Sequence, residues 1–160
     1  MTVLDNVRAH LASVGLVRAP DTNGAGARPW APPCWKHPAD GPVAPGDAAE
    51  QEKPAANVDD GLVVSLLHAQ GVPPGVSDAE RKIEGVDIVY RGVAVPAIFT
   101  LDALIRAQLH GTTDPGGRSD WMMGSLYVVQ SKLYRPIAPL GSTGAGVFSF
   151  MSGYLIESRV

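Results

Sequence analysis

The chain has 160 residues, of which 45% are hydrophobic and 18% charged, with a formal net charge of −3 and a pI near 5.7. A chain of this length fits a single domain, residues 1–160, because roughly two thirds of the unfolded surface is buried at this size. The acidic balance supplies no basic footprint for nucleic acid, and no run of about 18 apolar residues is present to span a membrane.

The first predicted element is an N-terminal helix. Thr2 is placed to cap it, and Asp5 lies near the positive end of the helix dipole. One apolar stripe runs through the segment at three- and four-residue spacings, formed by Leu4, Val7, Leu11 and Val14. Gly15 is expected to end the helix.

Residues 20–57 differ from the rest of the chain. Eight of the fourteen prolines lie between Pro20 and Pro54, together with several glycines and alanines, so the segment predicts a long irregular arm. It could serve as a flexible linker. However, Trp30 and Trp35 are costly side chains to leave in water, which favours docking of this part on another surface.

Regular structure is predicted to resume after the arm. Residues 62–67 and 86–91 are typical of strands, and in the second strand Val86, Ile88 and Tyr90 share one face. Residues 96–109 predict an amphipathic helix, and residues 122–134 and 147–159 predict a terminal antiparallel hairpin. The fold class is therefore α+β, with a mainly antiparallel four-stranded sheet and a second helix packed on it.

The sequence contains no strong candidate for a catalytic or metal site. Cys34 and His37 have a metal-like spacing, but too few further ligands accompany them. Ser65 and His68 could be combined with Asp59 or Asp60, yet no nucleophile elbow of the Gly-x-Ser-x-Gly type occurs. The glycine-rich run 141–146 lacks the Walker lysine. We predict no catalytic residue, no cofactor and no metal.

The compartment is predicted from two features. Asp5, Arg8 and His10 interrupt what would be the apolar part of a signal peptide, so the product is expected to stay inside the cell that makes it. The single cysteine, Cys34, suits a reducing compartment. Its role is not defined by the sequence.

Interface residues are predicted in the second half of the chain. Arg91 and Arg135 lie at predicted strand ends, where they could pair with carboxylates of a neighbouring subunit, bind DNA phosphates or protect an exposed edge. The eleven-residue loop predicted at 136–146 offers Ile137 and Leu140 for contact, since long loops on a rigid hairpin usually touch a partner. Trp30 and Trp35 complete this predicted interface.

Several segments are similar to one known family. The sequences VDIVYRG at 86–92, LDALIRAQLHG at 101–111, YRPIAPLG at 134–141, FSF at 148–150 and YLIE at 154–157 resemble the tail terminator proteins of long-tailed bacteriophages. The resemblance covers residues 62–160 and, more loosely, 1–17. The arm at 20–54 departs from the family.

The resemblance implies a structural virion protein without catalytic residues. Members of the family form a homo-hexameric ring at the head-proximal end of the tail, stop polymerisation of the tail tube protein and present a surface to the head connector, while DNA passes through without sequence-specific binding. Assembly would take place in the host cytoplasm. Residues 37–80 carry one Lys against eight Asp and Glu, which would help to repel DNA phosphates. The alternatives are a head completion or stopper protein of the neck and, in another class, a small-molecule binding module.

Overall fold

The computed structural model describes residues 2–18, 31–32, 34–36, 62–69, 81–111, 121–142 and 146–159. These residues form two helices, α1 (Val3–Ser13) and α2 (Val95–Leu109). They also form six strands: β1 (Cys34–Lys36), β2 (Val63–His68), β3 (Arg81–Gly92), β4 (Trp121–Met123), β5 (Leu126–Ser142) and β6 (Phe148–Arg159). Neither described helix is long and apolar enough to cross a membrane.

The strands form one mixed sheet in the order β1-β2-β3-β6-β5-β4. The pairing of β1 with β2 is parallel, and every other pairing among the described strands is antiparallel. The α+β class is confirmed, but the prediction of four strands is wrong. The two missed strands, β1 and β4, have three residues each, too few to show an alternating pattern.

The first helix begins and ends where its sequence predicts. The Asp5 backbone N–H donates to Thr2 Oγ1 at 3.2 Å, and the Thr2 N–H donates to Asp5 Oδ2 at 2.8 Å, which completes a capping box. The helix ends at Ser13, and Gly15 follows with φ 79°. A side chain at Gly15 would be strained, because L-residues rarely adopt this conformation.

Both helices contribute to one hydrophobic core on one face of the sheet. Val7 and Leu11 of α1 and Ile98, Leu101 and Ile105 of α2 are buried there. The sheet supplies Val86, Ile88 and Tyr90 of β3, which were predicted to share one face, together with Tyr154 and Ile156 of β6. The two central strands, β3 and β6, therefore carry the main contact between the sheet and the helices.

The hairpin of β5 and β6 extends further than predicted. The loop expected at 136–146 is wrong for most of its length, because β5 continues to Ser142. Pro136 and Pro139 are tolerated here for two reasons. Among the described residues, the strand β4 pairs only with Leu126–Val128, so the later part of β5 has no strand on its outer side there, and register shifts flank both prolines.

Part of the predicted irregular arm is regular. Cys34–Lys36 form β1, in which Cys34 pairs with Val64 of β2 and is fully buried. The strand forms because an apolar cysteine can enter the core while the backbone extends the sheet by one strand. Apart from residues 31 and 32, the rest of the 20–57 arm, Trp30 included, lies outside the described residues.

Candidate functional site

The helix α2 is apolar on its outer face as well as on its buried face. Its inner side packs in the core, whereas Pro96, Phe99, Ala103 and Ala107 are exposed at three- and four-residue spacings. Thr100 lies beside this stripe. Apolar residues grouped on the exposed side of a helix mark interaction surfaces. The outer face of α2 is therefore a candidate contact surface.

More exposed apolar side chains lie next to the start of α2. Val93, Phe99, Leu140 and Phe148 are between 36% and 54% exposed, and we call these four residues the terminal apolar patch. Phe148 pairs with Gly92, next to Val93, and Phe99 packs edge-on against Phe150 with ring centroids 5.2 Å apart. Leu140 follows Pro139, the partner of Phe150 in β5. Grouped apolar exposure of this kind marks interaction surfaces.

The predicted interface residue Arg135 lies in the middle of β5, not at a strand end. Its Nη1 is 3.5 Å from Asp87 Oδ2, and Gly153 of β6 separates the two residues in the sheet. A Cβ at Gly153 would stand 2.7 Å from Asp87 Oδ1, so glycine leaves space for this pair. Burial raises the pKa of the Asp87 carboxyl, and the charge of Arg135 opposes that rise.

The other predicted interface residues differ from one another in burial. Arg91 lies near the end of β3 as predicted, but it is buried, so it does not protect an exposed edge. Ile137 is partly buried and packs against the core, while Leu140 is 54% exposed. Trp35 is half-buried in β1, and Trp30 lies outside the described residues. The structure brings none of the tryptophans to the terminal apolar patch in the part it describes.

A buried polar cluster connects α2 to the sheet, and sequence reasoning missed it. The Tyr90 hydroxyl donates to Asp102 Oδ1 at 3.1 Å and lies 3.4 Å from Ser152 Oγ. Arg106 Nη2 is 3.5 Å from Asp102 Oδ2. Burial, and then the charge of Asp102, raise the pKa of Tyr90 well above its ordinary range, so Tyr90 keeps its proton and donates. The available signal was an Asp beside Leu101 on the apolar face of a helix.

The residues considered for chemistry do not assemble into a site within the described residues. Cys34 is buried in β1, Ser65 is buried in β2, and His68 is exposed at the end of β2. Ser65 and His68 are three apart on one strand and so point to opposite faces. The remaining members of those sets, His37, Asp59 and Asp60, lie outside the described residues. No group of three or more His, Cys, Asp or Glu able to hold a metal occurs in the described ranges.

The outward apolar surface is the strongest functional feature of the described residues. A comparison of the sequence with protein-family models finds no match, and a comparison with curated proteins finds none either. The exposed stripe of α2 and the terminal apolar patch are suited to binding another protein surface, because they offer apolar contact area with few charges.

Proposed function

We propose that this protein is a tail terminator of a long-tailed bacteriophage. It forms a ring at the head-proximal end of the tail tube, ends tube polymerisation and joins the tail to the head connector. The resemblance of the segments at 86–92, 101–111 and 134–141 supports this proposal, and those segments lie on β3, α2 and β5. The virion neck is the proposed location, after assembly in the host cytoplasm.

The observation that carries the proposal is the exposed apolar face of α2. A ring of identical subunits needs two different surfaces on each subunit, since a head-to-tail contact joins unlike patches. The α2 stripe and the adjoining terminal apolar patch supply one extended apolar surface. Apolar side chains grouped on the exposed side of a helix are typical of a contact with another protein surface.

The outer edge of β5 offers a second surface. Beyond the Gly111–Ser131 bridge, residues 134–142 have no strand partner on that side among the described residues. Pro136 and Pro139 lack the N–H groups that uncontrolled strand addition would use. This edge is therefore suited to a docking contact made by side chains and not by further strand pairing.

The proposed mechanism is competition for an interface. A ring bound to the last ring of the tube occupies the face on which the next tube subunit would dock, so polymerisation stops. The acidic segment 37–80, with one Lys against eight Asp and Glu, would repel DNA phosphates as the genome passes. Reversal of the Asp59 and Asp60 charges without any effect on assembly or DNA passage would contradict this role.

Electron microscopy of particles made after disruption of the gene in its phage tests the proposal. We expect headless tails of uneven or excessive length, because nothing caps the growing tube. Free tails of normal length beside leaking heads would instead assign the protein to head completion. Intact virions would refute a structural role at the neck.

A variant of α2 tests separately whether its exposed apolar face is a contact surface. Phe99→Asp places a charge on the outer face of the helix, where Phe99 is 45% exposed. Since the change also removes the edge-on contact with Phe150, circular dichroism must first show that the variant is folded. We expect the variant to fail in ring assembly with the tube protein, measured by negative-stain microscopy. His68→Asp, an exposed change at the end of β2, is the matched control and should assemble normally.

A further inference from the structure

The end of α2 is tied to β5 by backbone, hydroxyl and imidazole hydrogen bonds. His110 is the C-cap of α2, with φ −103° and ψ 118°, so the chain leaves the helix in an extended conformation. Gly111 and Ser131 then exchange backbone hydrogen bonds of 2.7 and 3.1 Å, and Ser131 Oγ donates to the Leu109 carbonyl. One more bond runs from the Leu133 backbone N–H to His110 Nδ1, at 2.9 Å.

The imidazole of His110 takes the place of a strand partner on the outer side of β5. Leu133 pairs with Tyr154 of β6 on the inner side. Its N–H points the same way as that of Ser131, two residues earlier, which donates to Gly111. The ring therefore extends the pairing of this edge by one acceptor beyond the Gly111–Ser131 bridge.

The bond from Leu133 requires a neutral ring. Because His110 Nδ1 accepts, the single proton of the neutral imidazole must lie on Nε2. Uptake of a second proton makes both ring nitrogens donors, so two N–H groups would face each other across 2.9 Å. Imidazoles take up this proton between about pH 8 and 5. The attachment of His110 to Leu133 is therefore sensitive to pH in that range.

The surroundings of the contact contain one imidazole. The other titratable groups on the adjoining parts of α2, β5 and β6 in the described residues are Asp102, Arg106, Lys132, Tyr134, Arg135 and Tyr154. Arg106, one turn before His110, lies 3.5 Å from Asp102. Lys132 and Arg135 pair with Leu155 and Gly153 and so lie on the side of the sheet opposite to Leu133. Burial raises the pKa of Tyr154 above its ordinary range, so its hydroxyl stays uncharged. A change that follows the protonation of an imidazole here belongs to His110.

We propose that His110 is a proton-controlled latch between α2 and the outer side of β5. The neutral ring accepts from Leu133 and holds the two elements together. The charged ring leaves the strand and lies at the C-terminal carbonyls of α2, which attract a cation. Acidification therefore removes one attachment of α2 to the sheet. This inference does not depend on the proposed tail function.

Nuclear magnetic resonance of the full chain, labelled with 15N, tests the latch. At pH 8 the ring nitrogen shifts of His110 should show the Nε2–H tautomer. Between pH 8 and 5 the Leu133 amide should lose about fivefold of its protection from hydrogen exchange, corrected for the intrinsic rate. The Leu133 amide shift should follow the titration of the His110 ring. Ser131, which donates to a backbone carbonyl, is the internal control and should keep its protection.

Two variants separate the acceptor from the charge. An Asn side chain offers an acceptor oxygen that does not titrate, so His110→Asn should keep Leu133 protected at both pH values. His110→Ala should lose this protection at both. His68→Asn changes an exposed histidine at the end of β2 and should behave like the unmodified protein. Three results would overturn the proposal: an Nδ1–H tautomer at pH 8, equal losses at Leu133 and Ser131 in acid, or a pH-dependent Leu133 amide in His110→Asn.

Discussion

The buried hydroxyl of Tyr90 offers a sharp test of how α2 is held on the sheet. Tyr90 and Asp102 are 0% and 3% exposed, and the hydroxyl donates to the carboxyl at 3.1 Å. Tyr90→Phe keeps the ring and removes only the donor. Asp102 would retain Arg106, which is 3.5 Å away and 42% exposed, so the buried Oδ1 atom would lose its donor.

The expected change in the free energy of unfolding follows from the loss of this donor. A hydrogen bond to a charged group contributes about 1.5–3 kcal/mol, and a buried acceptor left without a donor costs a similar amount. We expect the free energy of unfolding to fall by about 2 kcal/mol. For a chain of this size, about 2–4 °C of melting temperature corresponds to each kcal/mol. Tyr90→Phe should therefore melt about 4–8 °C below the unmodified protein.

Urea unfolding followed by circular dichroism measures this change, with the slope m compared to confirm that the unfolded state is unaltered. Tyr127→Phe, on an exposed tyrosine, is the control and should change stability by less than about 0.5 kcal/mol. A double variant with Asp102→Leu should be less destabilised than the sum of the single changes, because both polar partners are then absent. A loss below about 0.5 kcal/mol in Tyr90→Phe would refute the reasoning.

Two further predictions concern packing and pH. Gly153→Ala should cost about 1–2 kcal/mol in urea unfolding, because its Cβ would stand 2.7 Å from Asp87 Oδ1; an unchanged midpoint would contradict the close contact. Hydrogen bonds from Lys36 and from the Thr2 backbone hold the pKa of Asp5 well below its ordinary range. The stability that Asp5 contributes is therefore present above the unfolded pKa of about 3.9 and is lost as pH falls through and below it. Asp5→Asn should be about 1 kcal/mol less stable at neutral pH, the upper value for a carboxylate in the first turn of a helix, and the difference should shrink on acidification. A difference independent of pH would contradict this.

Local signals in the sequence were enough for much of the fold. The N-cap at Thr2 and the end of α1 near Gly15 were predicted correctly, because caps depend on residues within one turn. The alternation in β3 correctly identified the residues that face the helices. The three-residue strands were missed because their pairing depends on distant partners, such as Val64 for Cys34.

The surface was less predictable than the core. The sequence indicated contact residues, but it placed Arg135 at a strand end, whereas the structure places it in mid-strand beside Asp87. It also predicted a loop where β5 continues, since Pro136 and Pro139 signal a loop unless the strand lies on an outer edge. Whether a proline lies on an outer edge is a property of the whole sheet.

The sequence by itself determined the α+β class, both helices and the apolar side of the central strands, because periodicity and capping are local properties of the chain. Only the tertiary structure decided which side chains meet. It buried Asp102 against Tyr90, and it left Phe99 exposed on an apolar helix. It also gathered Arg81, Lys132 and Arg159 on one sheet face in a protein whose net charge is negative. Strand register brings distant residues together, and neither net charge nor periodicity records register.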